Sequence, residues 1–143
     1  MKHVSLFILI GIALGLNACA PAKTARVTEI SVEAKEFSFQ PANIEVIVGA
    51  QIRLVVRNVG TVEHDWSIQE IDATVFNAGS QPAPHDMPGM SKPPALHAAA
   101  QVGQTARLEF RPEKVGTYEI FCTTPGHKEA GMIGRLIVIV KEE

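Results

Sequence analysis

The chain has 143 residues, enough for one domain with a real core. Hydrophobic residues make up 46% and charged residues 20% of it, a globular balance that excludes collagen-like and disordered classes. A net charge of −2 with no basic cluster leaves no electrostatic footprint for nucleic acid.

The N-terminus has the pattern of a targeting segment. Lys2 and His3 form a short polar start, and Val4 to Leu16 follows, apolar apart from Ser5, Gly11 and Gly15. Such a run is too short to span a bilayer comfortably and fits the apolar core of a signal peptide. Leu16-Asn17-Ala18-Cys19 resembles a bacterial lipobox, which implies cleavage after residue 18 and lipidation of Cys19. The alternatives are plain secretion with a cut after Ala20, which sets Pro21 awkwardly beside the scissile bond, and a retained membrane anchor. The sequence thus divides into a signal over 1–18, a tether over 19–26 and one domain over 27–143. A Cys19–Cys122 disulfide is the bland reading of the two cysteines. It leaves the spacing around Cys122 unexplained.

Beyond the tether the hydrophobic pattern has period two, which argues for half-buried strands. Ile30, Val32 and Ala34 share one face. Phe37-Ser38-Phe39 alternates into Pro41; Ile44, Val46 and Val48 lead to Gly49-Ala50; Ile52, Leu54 and Val56 follow. Asn58-Val59-Gly60-Thr61 is a turn that delivers His64, and Asp65 to Ile71 predicts a short strand. Trp66 on it is expected in the core rather than as an electron relay.

Residues 72–99 break the rhythm with prolines at 82, 84, 88, 93 and 94. Proline at this density forbids a central strand, so an extended loop is expected, with a short helical turn over 75–78 or 94–100. A loop of that length is often functional. It carries His85, Met87, Met90 and His97. Strands resume at Ala106, Leu108 and Phe110, then at Tyr118, Ile120 and Cys122. Ile133 to Val140 is apolar throughout, as expected of a strand covered on both faces. Seven or eight short strands with no long amphipathic helix predict an all-β sandwich.

One stretch carries chemistry. Cys122 and His127 enclose four residues, and His127 and Met132 enclose four more. A thiolate, an imidazole and a thioether on one loop lack only a second imidazole to make the ligand set of a mononuclear blue-copper site. His64 is the candidate for it. Pro125-Gly126 supplies the reversal that can aim Cys122 and His127 at one point. Thr123 follows the thiol, and its hydroxyl is a candidate to fix the loop.

With these residues in view, the chain resembles a cupredoxin, over about Val27 to Val140. Phe39-Gln40-Pro41-Ala42-Asn43-Ile44-Glu45-Val46-Ile47-Val48-Gly49 is similar to the family's opening strands, and Asn58 to His64 to its approach to the first ligand. Phe121 to Gly134 matches the ligand loop, with the spacing of rusticyanin and auracyanin rather than that of plastocyanin or azurin. The resemblance implies a Greek-key β-sandwich with a long Pro-rich insertion at 72–99. It implies one type 1 copper held by His64, Cys122, His127 and Met132, and one-electron transfer with His127 as the exit edge. Asp65 departs from the Asn that many members carry there. An ionised carboxylate beside the metal favours Cu(II), whereas a protonated one resembles Asn, so a pH-dependent potential is expected.

The leading function is therefore a membrane-tethered electron carrier outside the cytoplasm. Its partners would be redox proteins such as a cytochrome or a membrane oxidoreductase, and the expected assembly is a monomer. The alternative is a copper-handling protein, a chaperone or tolerance factor that uses Met87 and Met90 as soft Cu(I) ligands. An enzyme is the least expected class. Multicopper enzymes need further copper sites, and a binuclear centre needs two loop cysteines where this loop has one.

Overall fold

A computed structural model of the chain describes residues 27–79, 83–85 and 90–142. The expected signal, the lipidation site and the tether lie outside the described residues, as does Met87. Ten strands are present: β1 (Val27–Lys35), β2 (Ser38–Gln40), β3 (Asn43–Ile47), β4 (Gln51–Asn58), β5 (His64–Ile68), β6 (Ala73–Asn77), β7 (Leu96–Ala100), β8 (Thr105–Pro112), β9 (Gly116–Phe121) and β10 (Ile133–Ile139). They form two five-stranded sheets, ordered β2-β1-β4-β8-β6 and β3-β10-β9-β5-β7. Among the described residues there is no helix, hence none long and apolar enough to cross a membrane. This is the all-β sandwich that the alternating pattern implies, with the Greek-key fold that the resemblance implies.

Alternation places the core between the sheets. Val32 and Ala34 of β1, Ile52, Leu54 and Val56 of β4, and Ala106, Leu108 and Phe110 of β8 are buried. Ile44, Val46, Ile120, Leu136 and Val138 meet them from the other sheet. Trp66 is fully buried beside Phe110, ring centroids 6.3 Å apart, so it packs the core as expected. Burial of each such side chain contributes about 1.5–3 kcal/mol.

The strand count exceeds the expected seven or eight for two reasons. Phe37 takes φ 60° and splits the first segment into β1 and β2. In addition, β6 and β7 occupy the two ends of the stretch expected as loop. No helical turn forms at 75–78 or 94–100. β6 pairs with β8, Val75 opposite Phe110, with an irregularity between Val75 and Asn77. β7 pairs with β5, Trp66 opposite Ala98. The run Ala98-Ala99-Ala100 favours helix locally, but its burial against the largest core residue decides otherwise. β10 also departs from expectation. It buries Gly134, Leu136 and Val138 but leaves Ile133 46% exposed, so only one of its faces is fully covered.

Three strand ends converge. β9 runs antiparallel to β10 and to β5, with Ser67 opposite Phe121. Carried two residues further, that register sets Asp65 level with Thr123. The segment 122–132 joins the end of β9 to the start of β10, and His64 opens β5 beside it.

Candidate metal centre

The convergence brings His64, Cys122 and His127 together. One ligand atom from each lies within 4.8 Å of the others, and all three residues are buried. Cys122 Sγ stands 3.7 Å from His127 Nδ1, and the two imidazole rings are 5.0 Å apart at 44°. Met132, the fourth expected ligand, is also fully buried. Its N–H donates to His127 O at 2.9 Å, which closes the loop behind the imidazole. His127 is the outermost of the four at 8% exposure.

The loop is built from tight local hydrogen bonds. His127 N–H donates to Thr124 O at 3.0 Å, Ala130 N–H to Gly126 O at 3.0 Å, and Cys122 N–H to Met132 O at 3.3 Å. Gly126 takes φ 82°, where a side chain is unfavourable. That freedom is what the Pro125-Gly126 reversal requires.

Asp65 ties the loop to β5. Its buried carboxylate accepts the Thr123 N–H at 3.0 and 3.1 Å, the Thr123 hydroxyl at 2.5 Å and the Ser67 hydroxyl at 2.7 Å. Its own N–H points at Cys122 Sγ at 3.5 Å. The carboxylate thus spans the gap to the ligand loop, the role expected of an Asn at that position. Thr123 fixes the loop as its position suggested, and Thr124 Oγ1 adds a bond to Glu63 O at 2.9 Å.

The donor set fits a copper ion. Both ring nitrogens of His64 are buried without a hydrogen-bond partner, an arrangement that costs free energy unless something binds there. Burial, with the neighbouring His127, pushes the His64 imidazole below its ordinary pKa, so the ring is held neutral and ready to ligate. Burial, with the Asp65 charge, pushes the Cys122 thiol up. A cation bound beside such a thiol would displace its proton to solvent and hold the thiolate as a ligand. Two imidazoles, a thiol and a nearby buried thioether are a soft, nitrogen-rich set suited to copper.

The Pro-rich segment lies elsewhere in part. His97 Nδ1 is 2.9 Å from Ser67 Oγ, and His85 N–H donates to Thr123 Oγ1 at 2.9 Å while its ring meets Glu63 at 3.0 Å. Neither histidine joins the three-residue cluster. Met90 lines a separate cavity of about 320 Å³ with Pro84, His85 and Lys92. Three residues escaped the sequence reading. Glu36 Oε1 lies 3.8 Å from His64 Nε2, and the Phe37 ring packs edge-on against His127 at 5.4 Å. Gly60 read only as a turn residue, yet a Cβ there would stand 2.6 Å from His64 Nε2. Nothing in the sequence marks Glu36 and Phe37, because they reach His64 and His127 from a distant turn, whereas Gly60 lies only four residues before His64.

A two-sheet sandwich with a buried His-Cys-His cluster where its strands converge defines a cupredoxin. Residues 26–139 match the family of copper binding proteins described as plastocyanin/azurin. The chain belongs to that family, and copper is its cofactor. It is 32% identical over 117 residues to the copper-resistant cuproprotein CopI of Rubrivivax gelatinosus, covering 82% of this chain and 68% of the relative. It is 28% identical over 123 residues to auracyanin-B of Chloroflexus aurantiacus, covering 80% of this chain and 52% of that one. The solved structure of auracyanin B superposes with a TM-score of 0.58 at 25% identity, over 82% of this chain and 91% of that one. A reduced auracyanin from Roseiflexus castenholzii shares the fold, with a TM-score of 0.60 at 20% identity over 78% and 97% of the two chains.

Proposed function

We propose that the protein is a one-electron carrier whose single type 1 copper is held by His64, Cys122, His127 and Met132. The observation that carries this reading is the buried cluster of one thiol and two imidazoles, with both His64 nitrogens unpartnered. Copper so held supplies a one-electron couple between Cu(I) and Cu(II). The residues of the chain supply the rest. The three convergent strand ends hold the donors in place, the buried core excludes water, and the Asp65–Thr123 clamp keeps the thiol aimed. His127, at 8% exposure, is the side chain through which an electron leaves. The auracyanin likeness supports the carrier.

The same reading includes a lipid on Cys19, a short tether over 19–26 and a site of action outside the cytoplasm. The electron partners are then redox proteins reached at or near the membrane, and the carrier works as a monomer.

A second reading is favoured by the CopI likeness at 32% identity. There the same copper site serves copper tolerance, with the segment around His85 and Met90 handling the metal.

A visible spectrum of the purified protein, titrated with Cu(II) and then ascorbate, tests the first reading. An intense thiolate-to-copper band at one equivalent, bleached by reductant and restored by oxidant, is expected. A colourless protein that binds only Cu(I) would overturn the carrier. Growth of a deletion strain on copper separates the second reading, since a tolerance factor gives a copper-sensitive strain and a carrier does not.

A further inference from the structure

The turn between β1 and β2 reaches across to both histidines of the cluster. Its tip residues are Glu36 and Phe37. The left-handed backbone at Phe37 sends that ring onto His127, while Glu36 faces His64. Glu36 is not a loose surface carboxylate, although its side chain is 38% exposed. Its Oε1 accepts both the N–H of Thr61 and the Thr61 hydroxyl, the latter at 2.8 Å. These two donors from Thr61 fix the carboxyl group in place beside the His64 ring.

The turn beyond β4 is shaped to let this carboxylate approach. A Cβ at Gly60 would stand 2.6 Å from His64 Nε2 and 2.7 Å from Glu36 Oε1, so only glycine leaves both atoms room. Asn58 pins the turn. Its side chain donates to Val62 O at 2.7 Å and Ala100 O at 2.8 Å, and it accepts from the Gly60 N–H at 2.9 Å. His64 Nε2 faces the carboxylate at 3.8 Å and has no hydrogen-bond partner.

We infer that Glu36 is the outer partner of His64: when the opposite ring nitrogen binds copper, Nε2–H donates to Glu36 Oε1, which positions the imidazole and biases the site toward Cu(II). This rests on His64 being a ligand, as proposed above. The contact needs to shorten only to about 3 Å, the ordinary N–H···O length. A carboxylate that accepts from the outer nitrogen of a ligating His fixes its ring orientation and makes it a stronger donor. A fixed negative charge on that side stabilises the more positive oxidation state.

The test compares the purified full chain with Glu36→Gln and Glu36→Ala. Three properties are read: the blue band, the reduction potential, and the His64 Nε2–H signal in nitrogen-correlated NMR of the Cu(I) form. Both substitutions are expected to raise the potential. The ratio of Cu(II) to Cu(I) affinity should fall by about three- to tenfold, a range limited by solvent screening of the half-exposed charge. Glu36→Gln keeps an acceptor and is expected to retain a slowly exchanging Nε2–H signal, whereas Glu36→Ala loses it. Glu36→Gln also keeps the Thr61 contacts, so a shift in its potential cannot be ascribed to a disrupted turn. Unchanged potentials in both variants, with the blue band intact, would overturn the role of Glu36 alone. A blue band that survives His64→Ala would overturn the ligand assignment and this inference with it.

Discussion

Replacing Asp65 would test whether its carboxylate clamps the ligand loop to β5. The side chain is fully buried and satisfies three donors: the Thr123 N–H, the Thr123 hydroxyl and the Ser67 hydroxyl. In Asp65→Ala the buried Thr123 N–H loses both oxygens that it faces, at about 1–3 kcal/mol. The Ser67 hydroxyl loses less, because it can turn to His97 Nδ1 at 2.9 Å, while the Thr123 hydroxyl keeps only the bond it accepts from the His85 N–H. The void left behind adds about 1 kcal/mol. The net loss is expected to be about 2–4 kcal/mol. Asp65→Asn retains an oxygen for the Thr123 N–H, and its amide N–H can donate to a rotated hydroxyl, so the loss should be about 1 kcal/mol or less. Urea denaturation of the copper-free protein measures both. If Asp65→Ala lies within about 0.5 kcal/mol of the wild type, or matches Asp65→Asn, the clamp is not the stabilising element claimed here.

Cys122→Ser is expected to abolish the blue band while the fold survives, which circular dichroism and the copper spectrum check together. Copper at 1,000 times its dissociation constant should stabilise the native state by about 4 kcal/mol, lost on adding a chelator and read as a drop in melting temperature. Gly60→Ala drives a methyl into His64 Nε2 and Glu36 Oε1, at 2.6 and 2.7 Å. It should cost about 1–3 kcal/mol and weaken copper binding, both readable by thermal melts with and without metal. Thr74 and Arg111 hold the Glu113 carboxyl below its ordinary value. Its folded pKa is depressed, so its contribution is present above the unfolded value of 4.5 and lost as pH falls below it. Thr74→Val should therefore flatten the acid limb of a stability-against-pH curve, and an unchanged limb would refute the assignment.

The strands of the sandwich were legible wherever one face is buried and the other wet. Val32 and Ala34, Ile52, Leu54 and Val56, and Ala106, Leu108 and Phe110 alternate in sequence and are the residues buried in the structure. β6 and β7 were not legible. Four of the five residues of β6 are exposed, so no alternation marks it, and the alanines of β7 carry a helical preference that burial overrides. The loop half of the candidate centre was legible because its expected donors are local, each pair enclosing four residues. His64 needed the family resemblance, since nothing near it in sequence speaks of metal. Glu36 and Phe37 were invisible, because their roles arise only when the β1–β2 turn folds over the converging strand ends, and Gly60 read only as a turn residue although it lies four residues before His64. Asp65 was visible as an oddity, yet its function as a clamp depends on the β5–β9 register that sets it level with Thr123.

That register bears on the choice between carrying electrons and carrying metal. Every expected donor sits in a scaffold held by the protein's own strand pairing and hydrogen bonds. Strand pairing sets His64 beside Cys122, loop hydrogen bonds orient His127 and Met132, and Asp65 locks the loop to the sheet. A site assembled in advance costs little further ordering when copper binds and resists rearrangement when its charge changes, which is what rapid one-electron exchange demands. It is a poor arrangement for handing the metal on. Three of the expected donors are fully buried and the fourth is 8% exposed, so an acceptor protein has almost no room to insert a competing ligand. Delivery from this chain would have to use a second, looser site. His85 and Met90 are the described residues near such a site, and His85 is tied to the ligand loop through Thr123. On the carrier reading proposed above, burial of the centre suits electron transfer, and a role in copper tolerance would work through redox chemistry at that centre or through binding outside it.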